Sequence, residues 1–455
     1  MSENYLASRY TCSWPHSIAV MLCDGRIVCG CADPYAKRVL GDFRTSSLGD
    51  IWQGATARQL RVDLNSGGSS FCGDCPLKLP LGPDDPVPQR DVNVGPLPSR
   101  LYIECTAACN ISCFQSCCAP ETGITRTRQA GMLDWDVFTR AVDEAGPSLV
   151  RIDFFNYGEA FLHKRAVEMC EYIKAKCPHI YLYSSTNGLA LTEEKARRLV
   201  HSGIDEVTFS IDGASQDTYV RYRQRGNFDK AIANLRAMAD EKRKAGRDVP
   251  HLNWRYILFN WNDSDEEMDR ARQIAAEVGV DRLCWEITDH PEDSYSRRFA
   301  PGTPDYERIR HEVWDMSGLG NAIPGTTPRA RIDVRTLIPG LPLRARAAQP
   351  VKVKTRVKNL SARPFRAQAS YGRRLVRLGA QLVAADGTII NRDHARAWLP
   401  GDIPPGGTAL VEIEVPAPEA PGRYALKFDL VSEGIDWFEK CGSQTTTRTL
   451  VVRAP

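Results

Sequence analysis

Five cysteines fall within fourteen residues, Cys105 to Cys118, in the run E-C-T-A-A-C-N-I-S-C-F-Q-S-C-C that starts at Glu104. No packed core needs so many thiols so close together. Thiolates with three residues between them return to one side of a loop, where they can close on a single inorganic cluster. Cys109, Cys113 and Cys117 carry that spacing, with Cys118 behind the last and Cys105 as a neighbour. A second set comprises Cys12, Cys29, Cys31 and the C-G-D-C pair Cys72 and Cys75, while Cys23 is assigned to the core. Cys12, Cys72, Cys75 and one of Cys29 or Cys31 make a four-ligand set. Zinc competes for both places, most of all for the second, because C-x-x-C with distant partners is also a zinc pattern.

Residues so placed need a scaffold that brings loops together. Six strand-like segments, beginning near Leu101, Leu149, Ile180, Glu206, Trp254 and Arg282, alternate with amphipathic segments. The clearest helix follows Asn262, with Ser264 and Glu267 as a capping box, Met268, Ala271, Ala275 and Val278 on one face, and Gly279 as its stop. Such alternation implies right-handed crossovers onto a parallel sheet covered on both faces. Six units suit an open partial barrel, whose ligands sit at the carboxyl ends of the strands. Prolines 80, 83, 86, 88, 96 and 98 mark a linker before it. After about Ala330, short alternating runs separated by P-G-G, A-D-G and A-P-G turns read as an antiparallel β-sandwich. The expected division is 1–78, linker 79–99, barrel 100–290, connector 291–330 and sandwich 331–455.

Fifteen cysteines in 455 residues with no secretory signal point to reduced thiols and metal in the cytoplasm rather than to a disulfide scaffold. The net charge of +3 and the lack of a Lys/Arg block give no sign of nucleic-acid binding. No apolar run approaches the roughly twenty residues that span a bilayer.

The stretch T-x-x-C-N-x-x-C at Thr106 to Cys113 resembles the cluster loop of radical S-adenosylmethionine (SAM) enzymes. The resemblance implies an α/β partial (β/α)6 barrel in which three cysteines hold a [4Fe-4S] cluster and the fourth iron binds SAM. The usual spacing would put the third ligand at Ser116, so Cys117 serves through a one-residue bulge, or Cys118 does. N-Y-G-E at Asn156, Tyr157, Gly158 and Glu159 is similar to the family's G-G-E motif, which meets the SAM amino group. Thr186, Asn187 and Gly188 match its T-N-G turn, Ser210 and Asp212 fall where relatives face the ribose, and Arg223 matches an arginine paired with the SAM carboxylate. The array from Cys12 to Cys75 resembles a SPASM or Twitch module with an auxiliary [4Fe-4S] cluster, placed before the barrel instead of after it. Register against that module favours Cys31 over Cys29, and the linker would let it return to the barrel mouth.

The resemblance implies an enzyme that takes an electron from a flavodoxin or ferredoxin and removes hydrogen from an unreactive carbon. The sandwich resembles modules of polysaccharide and glycoside pathways, so the expected substrate is an oligosaccharide or glycosylated natural product. Trp437 and Phe438 would stack on a sugar or fill the sandwich core. The expected outcome is epimerisation, similar to the oligosaccharide epimerases of antibiotic pathways, with Cys284 returning the hydrogen. The rivals are a sugar dehydrogenase, a modifier of a ribosomal peptide and a carbohydrate-binding scaffold without catalysis.

Overall fold

The computed structural model describes residues 9–33, 35–113, 131–288, 293–309, 312–314, 329–335, 341–361, 364–367, 376–432 and 436–454. Their contacts divide the chain into two units, Met1–Val280 with Glu286–Thr303, and Asp281–Trp285 with Pro304–Pro455. No helix among the described residues is long and apolar enough to cross a membrane.

Nine strands make one sheet: β1 (Ile18–Met21), β2 (Arg26–Val28), β3 (Val39–Asp42), β4 (Arg100–Ile103), β5 (Arg151–Asp153), β6 (Tyr181–Thr186), β7 (Glu206–Ser210), β8 (His251–Ile257) and β9 (Arg282–Glu286). Their spatial order is β9-β8-β7-β6-β5-β4-β1-β2-β3. From β4 to β8 every neighbour pair is parallel, as expected for strands joined by helical crossovers. The crossovers include α1 (Trp135–Ala145), α2 (Ala166–Lys176), α3 (Glu193–His201), α4 (Phe228–Lys244) and α5 (Asp265–Val278). Both faces of these strands are covered, and β7 is buried along its whole length although Glu206, Thr208 and Ser210 are polar.

Helix α5 starts where its capping residues predict, with Ser264 Oγ accepting from Glu267 N at 3.2 Å, and ends at Gly279 with φ +77°. The reciprocal half of the capping box is replaced. Glu267 turns instead to Ala214 N and to the hydroxyls of Thr218 and Tyr256, tying α5 to the loop after β7.

The N-terminal module does not return to the barrel mouth on a free linker. It joins the sheet itself: β1 runs parallel to β4, pairing Ile18 with Arg100 through Met21 with Ile103. The proline-rich segment is tied down as well, since Leu79–Pro80 pairs with Tyr10–Thr11 and the Gln53 and Asn65 side chains donate to Gly95 O and Arg90 O.

The second unit holds the sandwich. One sheet has three antiparallel strands, Ala330–Arg335, Val351–Asn359 and Thr408–Val415, and the other is built around Val376–Val383, Gly422–Ser432 and Thr446–Arg453. Strict alternation in Ala330–Arg335 sends Ala330, Ile332 and Val334 into a core shared with Leu378, Phe428 and Leu450. One pair departs from the antiparallel expectation, because Leu343–Arg346 runs parallel to Thr446–Arg453. Trp437 and Phe438 are 4% and 1% exposed, Phe438 within the sandwich core and Trp437 under Arg396, so neither ring is open to a sugar from solvent.

Candidate functional site

The cysteine loop leaves β4 and is anchored at both described ends. Leu133 N donates to Cys105 O at 2.8 Å, and the Thr106 hydroxyl donates to Gly131 O at 2.9 Å while accepting from Ala108 N. Cys105 turns away from the loop: its thiol lies 3.3 Å from Ala160 O, fully buried, and burial pushes it well above the ordinary thiol range. Its bond to the Ala160 carbonyl marks it as a packing residue. Cys109 is half-buried, with Asn187 Nδ2 3.8 Å from its sulfur, and Asn187 also donates to Asn110 Oδ1 at 2.8 Å. Cys113 is buried in a short antiparallel pairing with Arg223, whose Nη1 lies 3.3 Å from the Cys113 sulfur. Cys117 and Cys118 lie outside the described residues.

Gly158 is where the second strand-end loop meets the first. Its φ is +84°, and a Cβ there would stand 2.5 Å from Thr106 O and 2.7 Å from Ala108 O. Only glycine fits against that backbone. Glu159, 2% exposed, takes hydrogen bonds from Phe161 N, Thr186 Oγ1 and Asn187 N, while its own N donates to Ala108 O. Burial raises its pKa and these donors oppose the rise. Its carboxylate therefore pins the turn after β6 and, through the backbone, the cysteine loop, whereas the motif led us to expect it to face an ammonium.

Asp212 and Arg223 also turn inward. Asp212 is fully buried, with Oδ1 taking Ile257 N at 2.7 Å and Oδ2 taking Arg223 Nε at 2.5 Å. Ser210 is buried among polar partners. Arg255 Nη2 donates to its hydroxyl at 2.9 Å, Ser185 Oγ lies 3.3 Å away, and Arg255 Nε pairs with Glu286 at 3.0 Å. Ser185, Arg255 and Glu286 keep part of their surface exposed, which makes a polar wall below the loops. Asn156 donates to Glu104 Oε2 at 3.3 Å, and Tyr157 beside it is half-buried. Sequence reasoning missed Ser185, Arg255 and Glu286, since none sits in a motif.

The second thiol set closes on one cavity. Cys12, Cys29, Cys72 and Cys75 line it together with Trp14, Arg38 and Lys78. Cys31 is not among them. Gly30, with φ +83°, swings the chain between the two cysteines, and Cys31 packs with Tyr102 and Phe155, close to Arg100 and Asp153. The register preference for Cys31 thus gives way to Cys29 as the fourth wall. Burial pushes the Cys12 thiol up to about 11 and Cys29 well above its usual range, and each would-be thiolate repels the others. A metal centre is what would let them ionise together.

Among the described residues no three His, Cys, Asp or Glu side chains converge on a single metal ion. Four thiols lining one cavity suit an iron-sulfur cluster. The barrel loop fits one too, with two thiols beside hydrogen-bond donors and a backbone seat at Gly158.

Residues 103–281 carry a Radical SAM superfamily domain, and residues 12–76 carry a SPASM iron-sulfur cluster-binding domain. These domains use SAM, a [4Fe-4S] cluster and auxiliary iron-sulfur clusters. The chain is 34% identical over 114 residues to a tungsten-containing aldehyde ferredoxin oxidoreductase cofactor-modifying protein of Pyrococcus furiosus, covering 25% of this chain and 30% of that one. It is 27% identical to an AdoMet-dependent heme synthase of Methanosarcina barkeri, over 48% of this chain and 58% of the relative. The chain therefore spans about a third to three-fifths of these relatives' length. Among solved structures, Streptococcus suis SuiB bound to S-adenosylmethionine aligns with TM-score 0.35 at 13% identity, over 49% of this chain and 45% of that one.

Proposed function

We propose that the protein is a radical SAM enzyme acting on a carbohydrate or glycosylated natural product, with inversion of a carbon centre as the outcome. When bound, the cluster and SAM supply a 5'-deoxyadenosyl radical able to take hydrogen from an unreactive carbon. The observation that carries the reading is the meeting of the Cys109–Cys113 loop, the Gly158 seat and the Glu159–Asn187 pin at successive strand ends. The carbohydrate part rests on the polar wall. Ser185, Arg255 and Glu286 are partly exposed and carry donors and acceptors suited to hydroxyl groups. A flavodoxin- or ferredoxin-like partner would supply the electron.

Two thiols compete to return the hydrogen. Strand alternation puts Cys284 on the face of β9 that Glu286 shares, but Cys284 has 0% exposure. Cys31 keeps part of its surface exposed at the cluster that includes Tyr102, which favours it as a second reading. Reaction of candidate oligosaccharides in deuterated water tests both. One solvent deuterium at the inverted carbon supports epimerisation, and its loss in Cys284→Ser or in Cys31→Ser names the donor. An oxidised product without deuterium replaces the epimerase with a dehydrogenase. Failure of the reduced protein to cleave SAM overturns the enzyme reading and leaves a binding scaffold.

A further inference from the structure

We infer that Arg223 serves the barrel cluster and not the SAM carboxylate: it is a positioning residue whose charged N–H on the Cys113 sulfur makes the cluster easier to reduce. The inference rests on the reading of Cys113 as a cluster ligand.

Three constraints fix the guanidinium. Its backbone is hydrogen-bonded alongside Cys113 in the antiparallel pairing of Arg223–Gln224 with Ser112–Cys113. Its Nε is held at 2.5 Å by Asp212 Oδ2, and the other Asp212 oxygen is itself held by Ile257 N at 2.7 Å. The third is the contact of Nη1 with the sulfur at 3.3 Å, normal for an N–H to sulfur hydrogen bond. Two of its three nitrogens are thereby engaged, and 8% of the residue is exposed. Both bonds point the fork into the protein, and little of the residue is left to meet a carboxylate from solvent.

Adding an electron to a cluster places more negative charge on its sulfurs. A cation fixed against one of them in a poorly solvated site stabilises the reduced form more than the oxidised form. Asp212 offsets part of that charge while it fixes the direction of the fork, so the device is a directed donor more than a bare cation. Asn187 stands in a weaker, neutral version of the same relation to Cys109.

Redox titration of the reconstituted full chain, followed by electron paramagnetic resonance, tests this. The barrel signal is recognised because adding SAM perturbs it. Arg223→Gln should keep the parent's iron content and shift the reduction equilibrium of that signal at least tenfold toward the oxidised form, which is about 59 mV for one electron. Arg223→Lys, retaining charge without the fork, should recover part of the shift. SAM affinity, measured separately by equilibrium binding, should change little. An unchanged potential in Arg223→Gln with SAM affinity lost would make Arg223 the carboxylate partner instead. Loss of the barrel cluster in both variants would reduce it to a structural role, and either result overturns the inference. A parent protein that holds the cluster yet fails to cleave SAM overturns the proposed function and leaves this inference standing.

Discussion

The two cysteine regions use one ligand chemistry in opposite settings. In the N-terminal module four thiols wall one cavity, with Arg38 and Lys78 around it. In the barrel loop the described thiols, Cys109 and Cys113, each face a nitrogen donor, and the surrounding loops are pinned by Glu159. A cluster with every iron held by protein suits electron passage, whereas one with an open iron suits ligand binding. The number of walls, more than the kind of ligand, separates the two roles.

The most severe way to break this comparison is to delete one side of it. Cys109→Ala with Cys113→Ala should lower iron from about eight to about four per chain and abolish 5'-deoxyadenosine formation, leaving the N-terminal centre intact. Iron analysis and product chromatography check this, and residual SAM cleavage would refute the barrel assignment.

A sharper contrast sets two neighbours against each other. Cys29→Ser should cost the N-terminal cluster, about four irons, while Cys31→Ser should keep it, because only Cys29 lines the cavity. The reverse pattern in visible absorption and iron content would restore Cys31 as the ligand.

Gly158→Ala probes the seat of the barrel loop alone. The added Cβ would meet Thr106 O at 2.5 Å on a left-handed backbone, so destabilisation of about 3 kcal/mol is expected. The melting temperature should fall and the barrel cluster should be lost, with the N-terminal one retained.

The smallest effect is on pH and belongs to the metal-free N-terminal cavity. Folded Cys12 keeps its proton to about 11 against an ordinary 9.0, so the folded state binds more protons than the unfolded chain between those values. Stability is then complete below pH 9 and falls by about 2 kcal/mol as pH rises to 11. Anaerobic denaturant titrations at pH 8 and 11 measure it, and Cys12→Ala should flatten part of the slope.

Much of this was legible because the signals were periodic or local. Alternating strands and helices give the parallel sheet, Ser264 and Gly279 bracket α5, and the three-residue gaps point to Cys109 and Cys113. Side-chain direction was not legible. Cys29 and Cys31 would share a face in a regular strand, and the positive φ of Gly30 separates them. Motif register put Glu159, Asp212 and Arg223 at successive strand ends, yet their hydrogen bonds are made within the protein, and spacing carries no information on that. The polar wall of Ser185, Arg255 and Glu286 arises only when β6, β8 and β9 align, and no single segment announces it. The pairing of β1 with β4 joins strands nearly eighty residues apart, with a proline-rich segment between them that gives no sign of it.

That pairing bears on how the chain is made and divided. Every cysteine of the N-terminal module leaves the ribosome before Arg100, so β1 must wait with a bare edge until β4 is synthesised, as a template for mispairing during that interval. The module is consequently poor material for domain shuffling. Excising it at the proline-rich segment would uncover β4 along its length, and a transplanted barrel would have to carry the module with it.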